Sequence, residues 1–257
     1  MSRTPARATS RLVFDSAVAE TPNVCLLVDF SAESDVLLMT FGGMSGKLGI
    51  PFFEFFGVIS KLDCPVKRAY VRDLNQAWYH LGAPGVGETI DEIAATLRGV
   101  IEEAAVRRVV TVGHSAGGYA AILFGALLGA DRSIAFSPPT SLDPAIRTSI
   151  GETRSLERLR ILAQSGGPDP RYEDLRDVLA TRCRGEVEIH YSAHNPLDVL
   201  QAQRVADLPR VRTIEHEHTG HNVVKLMRND GSLIRLLRST LIETRGRFRQ
   251  PVSQVPA

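Results

Sequence analysis

The sequence predicts an α/β domain, in which short buried strands alternate with amphipathic helices. Runs rich in β-branched residues, such as 36–40, are followed by segments of helical period, such as 89–104. The run 36–40 is apolar almost throughout, as expected of a strand that is buried on both faces. A chain of 257 residues with 44% hydrophobic content is also long enough for one substantial core.

The strands are predicted from short apolar runs that end at glycine, proline or polar residues. Gly42 and Gly43 end the third of these runs, and Pro138 and Pro139 follow the sixth. The predicted strands are 12–14, 24–30, 36–40, 66–71, 108–112, 133–136, 187–191 and 211–214.

The helices are predicted from apolar residues at helical spacing and from capping residues. In the helix over 89–104, Thr89 or Glu88 is the predicted cap. Proline is acceptable in the first turn of the helix that begins at Pro51. The predicted helices are 51–62, 89–104, 116–128, 199–206 and 232–242.

The stretch 138–184 contains no clear strand and is marked by proline and glycine residues such as Pro144, Gly166 and Pro168. We predict that it forms a small cap insertion over the sheet, with one or two short helices, within a single domain that spans 1–257. The polar segments 1–10 and 246–257 are predicted to be flexible tails.

Composition argues against several classes of protein. The chain has 30 Lys and Arg against 29 Asp and Glu, so no basic excess favours nucleic acid or an anionic membrane. Three cysteines without CxxC spacing indicate neither a zinc site nor a disulfide framework. The start of the chain lacks a signal peptide pattern, and the longest apolar stretch, 119–128, is too short to span a bilayer. We therefore predict a cytoplasmic protein without metal, cofactor or membrane span, and leave its oligomeric state open.

Residues 113–117, Gly-His-Ser-Ala-Gly, fit the pattern Gly-x-Ser-x-Gly between an apolar run and a predicted helix. A nucleophilic serine on a sharp strand-to-helix turn needs this setting, because only glycine neighbours leave room for the turn. The N-terminus of the helix also offers free N–H groups to a developing oxyanion. A glycine-rich turn in any α/β fold is the alternative explanation, but the context favours Ser115 as a nucleophile.

A serine nucleophile needs a base and an acid. His221, after Gly220 and beyond the last predicted strand, is the predicted base, since enzymes of this motif have the chain order serine, acid, histidine. Asp198, on the loop after the strand 187–191, is the predicted acid that orients the imidazole. Asp198 also suits the first turn of a helix, and Asp143, after the preceding strand, is the alternative acid.

The oxyanion hole is predicted to consist of the Gly43 and Ala116 N–H groups, with Met44 as the neighbour that can replace Gly43. The polar loop 72–80 follows the fourth strand and either faces the site or packs as a structural loop. The candidate substrate-pocket residues are Trp78, Tyr79, Phe41 and His114.

These features resemble the α/β-hydrolase superfamily over roughly 12–242, through the order of strands, the motif Gly-His-Ser-Ala-Gly-Gly, the late Gly-His pair and the glycine pair after the third strand. The resemblance implies a mostly parallel sheet flanked by helices, with the site at the carboxyl ends of the strands. Its members are mainly esterases, lipases, thioesterases and peptidases, and some are acyltransferases. The sequence departs from the pattern at Asn195, where many members carry the aspartate, and at Phe41-Gly42, where a His-Gly pair is usual.

The predicted function is that of a serine hydrolase that cleaves a carboxylic ester or thioester of a small-molecule acyl substrate through an acyl-enzyme on Ser115. Acyl transfer by the same residues is one alternative, and a non-catalytic binding or accessory protein of the same fold is another.

Three other motifs compete with this interpretation. The loop 42–48 is similar to a phosphate-binding loop, but Phe41 stands where the first glycine is required and Leu48 where Ser or Thr is required. The histidines 216, 218 and 221 suggest a metal site. His194 and Asp198 match the spacing of an H-x-x-x-D acyltransferase motif.

Overall fold

The computed structural model of the protein describes residues 24–44, 53–217 and 220–243. One seven-stranded sheet crosses these residues in the order β1-β3-β2-β4-β5-β6-β7. Only the pairing of β1 with β3 is antiparallel. The strands are β1 (Leu26–Asp29), β2 (Val36–Phe41), β3 (Lys67–Val71), β4 (Arg108–His114), β5 (Arg132–Phe136), β6 (Glu186–Ser192) and β7 (Val211–His216).

Helices cover both faces of the sheet, as parallel strands require. The helices of the described residues are α1 (Phe56–Ile59), α2 (Ile90–Ala104), α3 (Ala116–Leu128), α4 (Pro144–Ser149), α5 (Leu156–Gln164), α6 (Leu175–Arg182), α7 (Pro196–Gln203), α8 (Val223–Asn229) and α9 (Ser232–Ile242).

The side chains of β2 alternate between two apolar cores. Leu37 and Met39 pack with α2, α3, α6 and α7, whereas Leu38 packs with α1, α8 and α9 on the opposite face. Every residue of β2 is buried. In the order of strands, β4 is the central strand and β2 lies next to it.

The register of the central strands determines what meets at their carboxyl ends. Phe41, the last residue of β2, lies opposite Gly113 of β4. The glycine pair that follows β2 therefore lies beside the turn that contains Ser115. On the other side of that turn, His114 pairs with Phe136 at the end of β5.

The structure confirms most of the predicted elements to within a few residues. The strand 12–14 and the tails 1–10 and 246–257 lie outside the described residues. The helix predicted over 51–62 is wrong, since the described part of it contains only the four-residue α1. The segment 138–184 contains α4, α5 and α6, more helices than we predict from the sequence, and α8 is not predicted at all.

Among the described residues, no helix is both long enough and apolar enough to cross a membrane.

Candidate active site

Ser115 occupies a strained turn between β4 and α3. Its φ of 52° and ψ of −121° are unfavourable for a residue with a side chain. The turn leaves no space around its glycines, because a Cβ on Gly113 would lie 1.9 Å from the Gly117 carbonyl oxygen. A Cβ on Gly117 would lie 2.2 Å from the carbonyl oxygen of Phe41. The Ser115 N–H is fixed by the Phe136 carbonyl oxygen at 2.8 Å.

Three side chains that are far apart in sequence form one hydrogen-bonded chain at this turn. His221 Nε2 lies 3.0 Å from Ser115 Oγ. On the other side of the ring, His221 Nδ1 lies 2.8 Å from Asp198 Oδ1 and 3.1 Å from Asp198 Oδ2. The Asp198 side chain is fully buried. The structure thus brings together the three residues that the sequence predicts as nucleophile, base and acid.

The two other candidate acid positions have capping roles. Asp143 is the N-cap of α4 and accepts a hydrogen bond from the Ile146 N–H at 2.8 Å. Asn195 is the N-cap of α7 and accepts from the Asp198 N–H at 3.2 Å. Asn195 therefore starts the helix whose first turn holds Asp198 beside His221.

Arg154 is the functional-site residue that sequence reasoning missed. Its Nη1 donates to Asp198 Oδ1 at 2.6 Å and lies 2.9 Å from His221 Nδ1. Because a guanidinium can only donate, Arg154 competes with Asp198 for that ring nitrogen. No motif in the sequence signals this arginine, since its role depends on a contact 44 residues away along the chain.

Glu152 holds the other side of the Arg154 guanidinium, at 2.9 Å from Nε and 2.5 Å from Nη2. Burial raises the pKa of Glu152, but the hydrogen bonds and the charge of Arg154 outweigh burial and lower it to about 2. Gln201 Nε2 donates to the same carboxylate at 3.3 Å. An ionised glutamate is therefore part of the support behind the Ser-His-Asp chain.

The predicted oxyanion donors differ in their surroundings. The Ala116 N–H lies in the first turn of α3 and has no acceptor among the described residues. The Gly43 N–H already has an acceptor, because it donates to the Glu54 carboxyl group. Burial raises the pKa of Glu54 to about 7 against this hydrogen bond. Met44, the predicted substitute for Gly43, lines the same cavity as Ser115 and Ala116.

A cavity of about 270 Å³ opens at Ser115 and His221. Trp78, one of the four predicted pocket residues, lines it. Its other lining residues in the described part of the chain are Met44, Ala116, Pro139, Arg147, Glu152, Arg154, Ser155 and Arg158.

The other two aromatic candidates, Phe41 and Tyr79, have side chains that are fully buried in the core, and neither residue lines the cavity at Ser115. Phe41 stacks on Phe124 with ring centroids 5.2 Å apart. The Tyr79 hydroxyl donates to the Gly42 carbonyl oxygen at 3.1 Å, so Tyr79 helps to hold the backbone of the glycine pair in place.

His114 lines a second cavity, of about 530 Å³, and not the one at Ser115. Its ring centroid lies 5.3 Å from that of His221. Burial lowers the pKa of His114 to about 4, and the neighbouring His221 adds to the shift.

The comparisons with known proteins identify the fold. No sequence model of a known protein family matches the chain, and no curated protein matches it significantly. Among solved structures, the capsule O-acetyltransferase of Neisseria meningitidis serogroup A is similar, with a TM-score of 0.60 and 16% identity over 82% of this chain and 90% of that one. Acetyl xylan esterase 1 from Thermoanaerobacterium sp. has a TM-score of 0.54 and 17% identity over 83% and 77% of the two chains. MenH from S. aureus has a TM-score of 0.52 and 13% identity over 84% and 98%.

The chain has the α/β-hydrolase fold.

The structure also describes at least part of each of the three competing motifs. Among the residues that the structure describes, no group of three or more His, Cys, Asp or Glu side chains is placed to hold a metal ion. His216 Nε2 lies 3.0 Å from His190 Nδ1, and His218 is outside the described residues. His194 pairs with Glu217 at 2.7 Å, while Asp198 contacts His221. Most of the loop 42–48 also lies outside the described residues.

Proposed function

We propose that this protein is a serine-dependent acyl hydrolase that cleaves a carboxylic ester or thioester through an acyl-enzyme on Ser115. One observation carries the proposal: Ser115 Oγ, both ring nitrogens of His221 and the buried Asp198 form a continuous chain with distances of 3.0 Å and 2.8 Å. An esterase and an acetyltransferase among the similar structures support acyl chemistry, although those activities belong to those proteins.

In the proposed reaction, Ser115 Oγ attacks the acyl carbonyl carbon while His221 Nε2 takes the hydroxyl proton. Asp198 keeps the other proton on Nδ1 and stabilises the imidazolium as it forms. The Ala116 N–H, with the N–H of Gly43 or Met44, holds the negative oxygen of the tetrahedral intermediate. For Gly43 this requires release of its hydrogen bond to Glu54.

Collapse of the intermediate expels the alcohol or thiol, which receives the proton from His221. Water then attacks the acyl-enzyme with His221 as base, and the acid product leaves. Acyl transfer to an alcohol or amine uses the same groups with an acceptor in place of water. The likeness to the capsule O-acetyltransferase makes transfer the second candidate, and product analysis with and without added alcohols separates the two.

We also propose that 138–184 acts as a cap, because Arg147, Arg154 and Arg158 of this segment line the cavity at Ser115. The cytoplasmic location stays a prediction from the cysteine content.

The test is intact mass measurement after incubation with a fluorophosphonate, which reacts covalently with activated serines. We expect one adduct on the wild type and none on Ser115→Ala. Ser155→Ala is the matched control, because Ser155 lines the same cavity, and it should be labelled like the wild type. Equal labelling of Ser115→Ala, or a folded wild type that is never labelled, would contradict the proposal.

A further inference from the structure

Arginine side chains dominate the charged wall of the cavity at Ser115. Arg147, Arg154 and Arg158 line it together with a single carboxylate on the wall, that of Glu152. A cavity of about 270 Å³ is small, so a compound that reaches Ser115 lies close to these guanidinium groups. Their charge balance therefore bears directly on which acyl compounds the cavity accepts.

Two of the three arginines are neutralised by buried carboxylates. Arg154 pairs with Glu152 at 2.5 Å and with Asp198 at 2.6 Å. Arg147 lies 3.9 Å from Glu152 and donates to the Arg154 carbonyl oxygen at 2.6 Å. These two guanidinium groups are thus occupied by the network behind His221.

Arg158 is different, since it has no carboxylate partner among the described residues. It lies on α5 and is partly buried. The adjacent carboxylate, Glu157, pairs with Arg160 at 3.1 Å and not with Arg158. Within the described part of the chain, one positive charge on the wall of the cavity at Ser115 and His221 is therefore without a carboxylate partner.

We propose that the substrate carries a second, anionic group, a carboxylate or a phosphate, and that Arg158 binds this group while the acyl carbonyl lies at Ser115. A guanidinium group matches the geometry of both anions through paired N–H donors. In a partly buried cavity such an interaction is stronger than on an open surface. The inference rests on the proposed function, and it makes Arg158 a residue that determines specificity.

Two matched pairs of esters test the proposal and locate the anion. Monophenyl adipate carries a carboxylate on the acyl chain, and phenyl hexanoate is its neutral counterpart. Para-carboxyphenyl acetate carries a carboxylate on the leaving group, and para-carbamoylphenyl acetate is its neutral counterpart. We expect the wild type to have a higher kcat/KM for the anionic member of at least one pair, and to lose this preference as salt screens the charge.

The variant Arg158→Gln should lower kcat/KM for the preferred anionic ester roughly tenfold, the loss expected for one charge-assisted hydrogen bond. Its kcat/KM for the neutral partner should change less than about twofold. Arg160→Gln is the matched control, since Arg160 lies on the same helix but is exposed and paired with Glu157. Equal losses on both members of the pair, or no anionic preference in the wild type, would overturn the proposal.

A binding measurement separates failure of this inference from failure of the proposed function. Trp78 is the sole tryptophan of the chain and lines the cavity, so its fluorescence reports on ligands there. In Ser115→Ala, where turnover is removed, the anionic member of at least one of the two pairs should bind more tightly than its neutral counterpart, and Arg158→Gln should abolish the difference. If the wild type cleaves no ester but this binding difference is found, the hydrolase proposal fails and the anion site stands. Equal binding of the anionic and the neutral member in both pairs would overturn the anion site and leave the hydrolase proposal untouched.

Discussion

Asp198 contacts both the Arg154 guanidinium and the His221 imidazole at the candidate site. Its Oδ1 accepts from Arg154 at 2.6 Å and lies 2.8 Å from His221 Nδ1, and its side chain is fully buried. Asparagine in its place keeps the shape but loses the negative charge, and it replaces one of the two acceptor oxygens by an N–H donor, so it no longer selects the His221 tautomer. We expect Asp198→Asn to lower kcat about 10⁴-fold, by analogy with the same change in serine proteases.

Asp143→Asn is the control for this prediction, because asparagine is an equally good N-cap for α4. Its kcat, measured with any ester that the wild type cleaves, should stay unchanged, and thermal unfolding should confirm that both variants fold. A large loss in Asp143→Asn with none in Asp198→Asn would move the acid assignment to Asp143.

Arg154 and Glu152 form an ion pair whose carboxylate is 1% exposed and whose guanidinium is 29% exposed. Removing the cation alone leaves Glu152 buried without its main partner, so Arg154→Gln should lower the free energy of unfolding by about 2 kcal/mol. The double variant Glu152→Gln with Arg154→Gln should regain part of that loss, since neither charge then remains buried. Urea unfolding of the two single variants and the double variant measures the coupling. Strictly additive losses would show that the pair does not act as a unit.

At the residue scale, a motif and the chain order are enough to predict which three side chains meet at the candidate site. Ser115 and His221 belong to short patterns whose chemistry is local, and Asp198 follows from its place after a strand. Arg154 and Glu54 reach the site only through tertiary contacts, so no local pattern marks them. Phe41 shows the converse, because a residue next to the functional glycines points into the core when the strand alternates.

At the scale of elements, the turn from β4 to α3 depends on how closely the helix approaches the end of β2. A Cβ on Gly117 would lie 2.2 Å from the Phe41 carbonyl oxygen, so Gly117→Ala must push α3 away from the sheet. We expect Gly117→Ala to destabilise the protein by more than about 3 kcal/mol or to prevent folding. Thermal unfolding of the purified variant, or its loss from the soluble fraction, measures this.

Gly99 provides the matched control for that prediction. It lies exposed within α2, and a Cβ there meets no atom within 4 Å. Gly99→Ala should therefore stabilise the protein by about 0.5–1 kcal/mol through helix propensity. If both alanine variants changed the free energy of unfolding by the same amount, the close approach of α3 to the Phe41 carbonyl oxygen would not explain why position 117 is a glycine.

The errors in the predicted elements have physical causes. The helix predicted from Pro51 fails because Phe55 adopts a φ of 67°, which interrupts a helix and leaves only α1 in the described residues. The helix α7 begins earlier than predicted, since Asn195 caps it and Pro196 follows, a start signal that the sequence does contain. The helix α8 has only seven residues, too few for a clear apolar period.

At the scale of the whole molecule, alternation of strands and helices predicts a largely parallel sheet, and the structure has one. The order of strands and the antiparallel β1 do not follow from alternation alone, because they depend on which strands pair across the core. The pKa values of buried side chains likewise depend on the whole fold, because burial sets them. Burial lowers the pKa of His80 and of His114 to about 4, and it raises the pKa of Glu54 to about 7.

These shifts make stability depend on pH in opposite directions. Below about pH 6.5, the unfolded chain binds protons at His80 and His114 that the folded chain does not, so acid destabilises the fold through them. Glu54 acts in the other sense: between its usual pKa of 4.5 and about 7, the folded chain holds a proton that the unfolded chain releases. The Glu54 contribution is therefore present in full below pH 4.5 and is lost as the pH rises to about 7.

Glu54→Gln isolates this contribution, because glutamine does not titrate. The free energy of unfolding of the wild type minus that of Glu54→Gln should fall by about 2 kcal/mol as the pH rises from 5 to 7, and should level off above pH 7. Urea unfolding of both proteins across this range measures the difference. Glu157→Gln is the control for loss of a glutamate at an exposed position, since the Glu157 side chain is exposed on α5. A flat difference for Glu54→Gln would mean that burial does not raise the pKa of Glu54, and that the Gly43 N–H is bound to an ionised carboxylate between pH 5 and 7.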